Sequence, residues 1–347
     1  MGKAKFTKIE REKFHKKLDE FLEDRLWGKR DFNGRTFYLK KESNYPPFNF
    51  LDKPSKKNLP SFQKIIQEIN SFFLDNNYDS KVENNICLDQ KIKDTFIIGA
   101  GIQYFREYFW NDKNLIKGKY FIPQPVIRMK SLNNIGEGIT SSFVNISTVD
   151  LETSFEKHLY HLENWFNLIS KLGLYVGDFN LEVIPKKRYA KNKKGNWNKT
   201  DGFSLSINYF NLNVGDAGFI KIPTKRQELC VSDIGFGLER LLWSLYKTPS
   251  YFDIIGPKSE TKYLRFKLVD SIRSATLLVM SNLSKENIDS YNQFKKFIKI
   301  GSQYYGSFDT MKLIQHYYIF WSNFIKPQKS AFSCYSFLDQ QLRDKNE

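Results

Sequence analysis

The feature that most constrains the fold is a turn from an apolar strand into a helix, in the sequence DIGFGLER at residues 233–240. Two glycines, Gly235 and Gly237, open the predicted helix, and Arg240 closes its first turn. Glycine lets the backbone approach a ligand closely, and a helix N-terminus favours anionic groups. An earlier apolar segment, QPVIR, ends in a second arginine, Arg128. A guanidinium group offers a flat fork to phosphate and a flat face to a base, so the pair predicts two walls of a nucleotide site.

Each of these pieces has an ordinary structural explanation when it is taken alone. Most glycine pairs of the form GxG before a helix are only turns. A lone arginine at the end of a strand is usually a surface residue. Both pieces occur here in this order, each beside apolar strand-like sequence, which favours the functional interpretation.

The charge of the chain is compatible with a polyanionic partner. The formal net charge is +16 over 347 residues, and such an excess is typical of proteins that bind RNA or nucleotides. The chain is also rich in Lys, Asn, Ile, Phe and Tyr, a composition that AT-rich coding alone produces. A diffuse, solvated lysine surface therefore explains the charge equally well.

The sequence offers no pattern for a disulfide framework or a metal site. Cys87, Cys230 and Cys334 are far apart and unpatterned. His158 and His161 form an HxxH pair on a predicted amphipathic helix without further ligands, so we interpret them as surface histidines. Because there is no signal peptide and no long apolar run, we expect a soluble cytoplasmic protein that does not enter a membrane.

Hydrophobic periodicity predicts strands that alternate with helices. Helices are expected over residues 5–27, 61–75, 102–110 and 151–172, and from residue 261 to the end. Strands are expected over 95–98, 120–129, 141–148, 179–184, 203–214, 218–222 and 228–233. Residues 41–60 are expected to form a linker, and 189–202 a polar loop. Strands joined as hairpins and interrupted by helices indicate a mostly antiparallel sheet with flanking helices.

Taken in order, several segments resemble the catalytic core of a class II aminoacyl-tRNA synthetase, most closely that of alanyl-tRNA synthetases. The segment FIIGAGIQYF resembles the family's LFTNAGMNQF, and QPVIR resembles the first strand of its motif 2. NNIG resembles the xxNVG of the motif 2 loop, and VSDIGFGLER resembles the xVDTGxGLER of motif 3. TPSYFD resembles GTPTxYD, and DSIRS resembles the DHIRS that opens the tRNA-recognition domain. The resemblance covers residues 61–300.

The resemblance implies an α+β fold, in which the mostly antiparallel sheet of the class II synthetases is flanked by helices and followed by a C-terminal helical domain. Residues 61–256 would form the catalytic domain, and 257–347 a helical domain similar to the tRNA-recognition domain. Residues 1–60 have no counterpart, and we interpret them as an N-terminal helical extension and linker.

The resemblance also implies an ATP site and assigns its residues. In the family a carboxylate attacks the α-phosphorus of ATP, and fixed cations stabilise the charge that develops. Arg128 would contact the α-phosphate, Phe143 would stack on adenine, and Arg240 would cover the other face of the base and reach the outer phosphates. The two arginines are therefore the catalytic candidates, and Asn145, Gly237 and Glu239 complete the predicted ATP-binding residues.

The amino acid would lie beside motif 3. Asp233 would hold its ammonium group, Gly235 would keep the pocket open, and Asp216 would add a second contact. ATP and Mg²⁺ are implied as cofactors by the resemblance alone, and no residue is assigned as a metal ligand.

The sequence also departs from the family's pattern. The motif 2 loop, EGITSSFVN, has no basic residue for the γ-phosphate, and Val144 replaces a glutamate. Ser206 stands where the family has a carboxylate near the metal and ribose, whereas Asp216 is an added acid. Glu286 and Ser290 stand near positions that read the tRNA acceptor stem. The chain ends before the second reading region and before the editing and C-terminal domains.

Two functions remain open at this point. The first is a stand-alone ligase that activates an amino acid with ATP and transfers it to an acceptor. That acceptor would be the acceptor stem of a tRNA, or alternatively a carrier protein or a small molecule. The second is a catalytically inactive synthetase-like protein that binds RNA, regulates, or helps a larger synthetase. The loop without cations and Ser206 favour the second, whereas Arg128, Asp233 and Arg240 favour the first.

Overall fold

The computed structural model describes residues 5–40, 60–80, 87–89, 96–105, 109, 117–129, 134–184, 201–210, 212–223, 228–257, 266–306 and 309–346. The predicted linker lies outside the described residues except for Pro60, and the predicted polar loop does so except for residues 201–202. Asn133, the first residue of NNIG, also lies outside them.

The described helices and strands follow one another as the sequence predicts in most places. The helices are α1 (Lys8–Glu23), α2 (Phe62–Asp75), α3 (Phe155–Leu172), α4 (Leu238–Tyr246), α5 (Phe252–Ile255), α6 (Phe266–Met280), α7 (Ile288–Ser302), α8 (Thr310–Trp321) and α9 (Ala331–Asn346). The strands are β1 (Trp27–Phe32), β2 (Arg35–Lys40), β3 (Asp79–Ser80), β4 (Leu88–Asp89), β5 (Phe96–Ile97), β6 (Gly118–Ile127), β7 (Ser142–Leu151), β8 (Phe179–Ile184), β9 (Asp201–Tyr209), β10 (Leu212–Pro223) and β11 (Glu228–Gly237). Short 3₁₀ helices span Gly101–Phe105 and Val176–Asp178.

The strands confirm the predicted α+β class and its mostly antiparallel sheet. Nine of them form one sheet in the order β1-β2-β8-β9-β10-β11-β7-β6-β3, and β4 pairs with β5. Pairing is antiparallel from β1 through β2, β8, β9 and β10 to β11, whereas β3 pairs with β6 in parallel. Helices α6 to α9 follow the last strand, as the prediction of a helical C-terminal part requires.

The chain divides into two compact units. The first unit contains Met1–Ser80, Phe105–Ile122 and Ile146–Lys247, and the second contains Lys81–Tyr104, Pro123–Asn145 and Thr248–Glu347. The division into domains at residues 60 and 256 stays a prediction.

In the first unit, strand alternation separates an apolar face of the sheet from a polar one. Along β9, Phe203, Leu205 and Ile207 alternate with serine and asparagine side chains, and successive side chains of a strand point to opposite faces. Phe203 contacts helices on the apolar face, with its ring centre 6.3 Å from that of Phe14 and 5.5 Å from that of Phe155. The serine and asparagine side chains of β9 therefore lie on the opposite face of the sheet from these helices.

The prediction of two strands over 203–214 and 218–222 is wrong. β9 ends at Tyr209, and one continuous strand, β10, covers both the end of the first segment and the second. The turn passes through Phe210, whose φ is +44°. Apolar and polar residues alternate on both sides of this turn, and the turn contains no glycine or proline. Hydrophobic periodicity alone therefore does not reveal the turn.

The interpretation of His158 and His161 as surface residues is wrong. His158 is 0% exposed and His161 is 3% exposed, because their spacing places both on the buried face of α3. The His161 Nε2 atom lies 2.9 Å from Asp150 Oδ2, and its Nδ1 atom contacts the Tyr78 hydroxyl. His158 Nδ1 lies 2.7 Å from Ser232 Oγ, and burial lowers the pKa of His158 to about 3. His158 is therefore neutral at pH 7.

The N-terminal helix begins as predicted and leads into a hairpin that was not predicted. The Glu10 backbone N–H donates to Thr7 Oγ1 at 3.1 Å, and the Thr7 N–H donates to the Glu10 carboxylate at 2.6 Å, which forms a capping box. Strands β1 and β2 then turn at Asn33 and Gly34, with φ of +50° and +73°. Asn-Gly is the preferred pair for such a turn, so this hairpin has a local sequence signal.

No helix within the described ranges has both the length and the apolar character needed to cross a lipid bilayer.

Candidate functional site

The motif 2 arginine lies in the second unit, directly after β6. Arg128 is exposed, and its Nε atom donates to the Gly99 carbonyl at 3.1 Å. Its guanidinium carbon lies 4.8 Å from the ring centre of Phe143, within the range of a cation–π contact. The Arg128 backbone N–H donates to the Ser141 carbonyl at 2.8 Å, which ties the end of β6 to the residue before β7. The structure therefore brings together two residues that the sequence assigned to one site.

Asn145 lies two residues beyond Phe143 on β7. Residues two apart on a strand share a face, so the predicted adenine-stacking ring and this amide lie on the same side. Phe143 is half-buried, and Asn145 is 7% exposed. Val144, which replaces the family's glutamate, is fully buried on the opposite face.

The motif 2 turn is fastened by a residue that the sequence reasoning missed. Glu137 lies in the tight turn closed by the bridge between Gly136 and Ile139. Its Oε1 atom accepts from the Ser250 hydroxyl and its Oε2 atom from the Tyr251 backbone N–H, both at 2.7 Å. The motif 2 loop and the TPSYFD segment both carry the resemblance, but nothing local in either one predicts that they contact each other. Glu137 therefore holds the motif 2 turn against the TPSYFD segment.

The DSIRS segment of α6 holds the start of β7. Asp270 Oδ1 accepts from the Ser141 backbone N–H at 2.6 Å, and the Ser274 hydroxyl donates to Ser142 Oγ at 2.9 Å. Arg273 Nε donates to the Ser142 carbonyl at 3.3 Å. These contacts fix the backbone immediately before Phe143.

Asp270 and Arg273 are charged groups in a fully buried setting. Both are 0% exposed, and burial raises the pKa of Asp270 to about 6 against the opposing effects of the Ser141 N–H and Arg273. The Arg273 guanidinium carbon lies 4.3 Å from the ring centre of Phe320 and 4.5 Å from that of Trp321. The aromatic rings of α8 thus shield the cation.

Motif 3 lies in the first unit, where β11 runs directly into α4. The helix begins at Leu238, directly after the second of the two glycines, and Gly235 and Gly237 both belong to the strand. Gly237 is the N-cap, and no side chain caps the helix. Arg240 closes the first turn as predicted and is half-buried, whereas Glu239 is 1% exposed.

The strand register places the two predicted amino-acid-binding carboxylates on one face. Asp216 of β10 is opposite Gly235 of β11, and Gly218 is opposite Asp233. Such diagonal neighbours on one face lie about 7–8 Å apart. The residue opposite each carboxylate is a glycine, so no side chain on the paired strand faces it. Both carboxylates are half-buried.

The same register reveals a row of acids across the sheet. Ser206 of β9 is opposite Asp216 on one side and opposite Glu182 of β8 on the other. Glu182 is 8% exposed and forms an ion pair with Arg35. Carboxylates on the two neighbouring strands therefore flank Ser206, the position at which the resemblance places an acid. Sequence reasoning identified Asp216 and missed Glu182, whose only local signal is its alternation with apolar residues in β8.

The α+β sheet and the motifs on its strands define a class II synthetase-like core. Over 233 residues, the chain is 21% identical to an alanine–tRNA ligase from Pyrobaculum calidifontis, which confirms the resemblance to this class. The match covers 61% of this chain and 24% of the relative, so this chain corresponds to a minor part of that protein. No family model matches the sequence.

Two solved structures of pyrrolysyl-tRNA synthetase from Desulfitobacterium hafniense are also similar to this chain. The first has a TM-score of 0.41 and 14% identity, and the second has a TM-score of 0.40 and 13% identity. Each match covers 59% of this chain and 76% of the other.

Proposed function

We propose that this protein is an ATP-dependent, AMP-forming ligase of the aminoacyl-tRNA synthetase type. It activates an amino acid as the aminoacyl-adenylate and transfers it to an acceptor. The observation that carries the proposal is the setting of Arg128, which is held by the Gly99 carbonyl and lies against the Phe143 ring. The similarity to an alanine–tRNA ligase supports the same class of enzyme.

In the proposed reaction, a carboxylate oxygen of the amino acid bonds to the α-phosphorus of ATP. The bond from that phosphorus to the bridging oxygen breaks, and pyrophosphate leaves. Arg128 stabilises the negative charge that grows on the α-phosphoryl oxygens, since a fixed cation needs no reorganisation at that moment. Phe143 stacks on adenine, and Asn145 adds a polar contact on the same strand face.

We assign the outer phosphates and the other face of the base to Arg240. Gly237, as the N-cap, leaves the helix end without a side chain, so a ligand can approach the backbone there. Glu239 directly precedes Arg240 in α4 and is buried, and we assign it to ATP binding as well.

We assign the substrate's ammonium group to Asp233. The residue opposite this carboxylate is Gly218, which carries no side chain, and Asp216 offers a second anionic contact on the same face. A carboxylate is the partner that a charged ammonium group prefers. Asp216 favours a substrate whose side chain carries a hydrogen-bond donor or a cation.

Magnesium enters the proposed reaction together with ATP. Mg²⁺ is usually held by one or two carboxylates and by the substrate's phosphates, with water filling the rest of its shell. Glu182 and Asp216 lie opposite Ser206 on the two neighbouring strands, and their carboxylates are oxygen donors of the kind that Mg²⁺ takes. Within the described ranges no group of three or more His, Cys, Asp or Glu residues is arranged to hold a metal ion. The ion's contribution is to neutralise charge on the phosphates.

For the acceptor we favour RNA, and specifically the acceptor stem of a tRNA, over a carrier protein or a small molecule. Lys295, Lys296 and Lys299 are exposed on α7, whereas Phe294 and Phe297 on the same helix are fully buried. A basic helix face of this kind suits the phosphates of a nucleic acid.

A second candidate function is a synthetase-like RNA-binding module without catalysis. The observation that favours it is that the Ser206 hydroxyl is engaged within the protein. It accepts a hydrogen bond from Asn213 at 2.7 Å and donates one to Asn208 at 3.2 Å. A position that carries a carboxylate in the family is thus occupied here by a residue with structural contacts.

The decisive experiment is amino-acid-dependent exchange between ATP and pyrophosphate over a broad panel of amino acids. We expect exchange with at least one amino acid, and we expect Arg128→Ala to reduce its rate about 100-fold or more. Arg343→Ala is the matched control, because Arg343 is an exposed arginine that pairs with Asp339 on its own helix.

Folded protein that exchanges with no amino acid contradicts the proposal. If that protein still binds tRNA and does not bind ATP, the second candidate function is correct.

A further inference from the structure

Strand β10 is irregular at the point where it leaves the turn from β9. The register shifts between Asn213 and Gly215, so Val214 is an extra residue relative to β9. A β-bulge of this kind bends the strand and re-aims the neighbouring side chains. A Cβ atom on Gly215 would lie 2.8 Å from the Gly235 carbonyl oxygen and 2.8 Å from the Phe236 ring, so glycine is required there. The sequence Asn-Val-Gly therefore fixes the bulge in place.

The bulge presents Asn213 to the motif 3 arginine. Arg240 Nη1 donates to the Asn213 backbone carbonyl at 2.7 Å, and it lies 3.3 Å from the Asn213 side-chain Oδ1. One residue thus offers the guanidinium two acceptors, and hydrogen bonds from a charged donor are stronger than neutral ones. These contacts hold Arg240 from strand β10.

The orientation of the Asn213 amide is itself set by other groups. Its Nδ2 atom donates to Ser206 Oγ at 2.7 Å and to the Gly215 carbonyl at 3.1 Å. Two acceptors on this side identify it as the NH₂ end, so the carbonyl end is the one that faces Arg240. Behind Ser206 the chain of contacts continues to Asn208, at 3.2 Å, and from there to Asn180, at 3.1 Å.

Ser206 acts in this chain as both acceptor and donor. A hydroxyl can accept from Asn213 while it donates to Asn208, whereas an ionised carboxylate can only accept. Serine at this position, where the family resemblance places a carboxylate, therefore connects Asn213 with Asn208 and places no charge between them.

We propose that Asn213 is a positioning residue for Arg240, and that Ser206 orients Asn213 for this task. The proposal rests on the proposed function, since it is ATP that the held guanidinium would meet. The contacts from Ser206 to Asn213 and from Asn213 to Arg240 fix the guanidinium before the nucleotide binds. ATP therefore does not have to order this side chain on binding. Asn213 acts through Arg240 and is not assigned a contact with the substrate.

The kinetic test compares Asn213→Ala with wild type in ATP–pyrophosphate exchange. We expect the KM for ATP to rise about tenfold with a smaller change in kcat, since the held arginine binds ATP before and during the reaction. Ser206→Ala should show the same change to a lesser degree, whereas Ser206→Thr keeps the hydroxyl and should stay near wild type. Asn76→Ala is the matched control, because Asn76 caps α2 by donating to the Phe72 carbonyl at 2.8 Å.

A second measurement does not depend on catalysis. On protein labelled with ¹⁵N-arginine, with the Arg240 signals assigned by Arg240→Lys, the rate of guanidinium rotation reports whether Nη1 is held. We expect this rotation to be faster in Asn213→Ala than in wild type and unchanged in Asn76→Ala.

The two measurements separate the possible failures. Unchanged rotation in Asn213→Ala overturns the proposal, whether or not the protein is an enzyme. Faster rotation with an unchanged KM for ATP also overturns it, because Arg240 would then be held without any effect on the nucleotide. Absence of exchange in wild type contradicts the proposed function, and rotation still decides whether Asn213 holds Arg240.

Discussion

At the scale of the residue, Asp270 shows how a buried carboxyl group couples pH to stability. The side chain is 0% exposed and has a raised pKa of about 6, and its Oδ1 atom accepts from the Ser141 N–H at 2.6 Å. An unfolded aspartate ionises near pH 3.9. Between these two pKa values the unfolded chain releases a proton that the folded chain keeps. The contribution of Asp270 to stability is therefore complete at low pH and is lost as the pH rises through about 6.

Asp270→Asn removes this titration and keeps an oxygen for the Ser141 N–H. We expect the stability of wild type relative to this variant to fall between pH 4 and pH 7, by roughly 2–3 kcal/mol if the whole shift is expressed. Chemical denaturation of both proteins across this pH range measures the difference. A difference that stays constant with pH would show that Asp270 titrates at an ordinary pKa.

At the scale of the element, the motif 2 turn depends on contacts with a segment far along the chain. The turn contains Gly138 at a φ of +73°, which glycine adopts without strain. Glu137 attaches the turn to the TPSYFD segment, through Ser250 and the Tyr251 backbone N–H. This carboxylate therefore helps to set the position of the turn, although the turn itself is local.

Glu137→Ala should release the Tyr251 amide while leaving the turn folded. Losing a hydrogen bond to a charged acceptor should speed hydrogen exchange of this amide about tenfold. Hydrogen exchange of the peptides covering TPSYFD measures it. Glu286→Ala is the matched control, because Glu286 is an exposed glutamate of the same unit. Equal exchange in wild type and Glu137→Ala would contradict the contact.

At the scale of the whole molecule, the N-terminal helix contributes to the core of the first unit. Phe14 is 8% exposed, and its ring centre lies 4.6 Å from that of Phe155 on α3 and 5.3 Å from that of Phe219 on β10. The neighbouring hairpin extends the sheet, because β2 pairs with β8. The region without a counterpart in the family thus packs against strands of the region that resembles it.

Phe14→Ala should lower the free energy of unfolding by about 3–5 kcal/mol, since a large buried ring leaves a cavity. Ile9→Ala, on the same helix at a position 76% exposed, should change it by no more than about 0.5 kcal/mol. Chemical denaturation compares the two variants. Similar small effects at both positions would mean that α1 does not stabilise the unit.

Much of the fold was predictable because its signals are local. The periodicity of apolar residues placed α1, α2 and α3 and most strands, and Thr7 with Glu10 marked the first helix start. The predictions failed where one pattern continued through a turn, as at Phe210, or where a polar residue found a buried partner, as at His158. The first failure is a local turn that the continuing alternation hides, and the second depends on Ser232, which lies 74 residues further along the chain.

The sequence by itself determined the class of fold, most of the helices and strands, and the candidate residues Arg128, Asp233 and Arg240, because periodicity and short motifs are properties of neighbouring residues. The tertiary structure decided which polar groups meet. It paired Arg128 with Phe143 and Arg240 with Asn213. Such pairs depend on strand register and on a bulge, and a shift of one residue would turn each strand side chain to the opposite face.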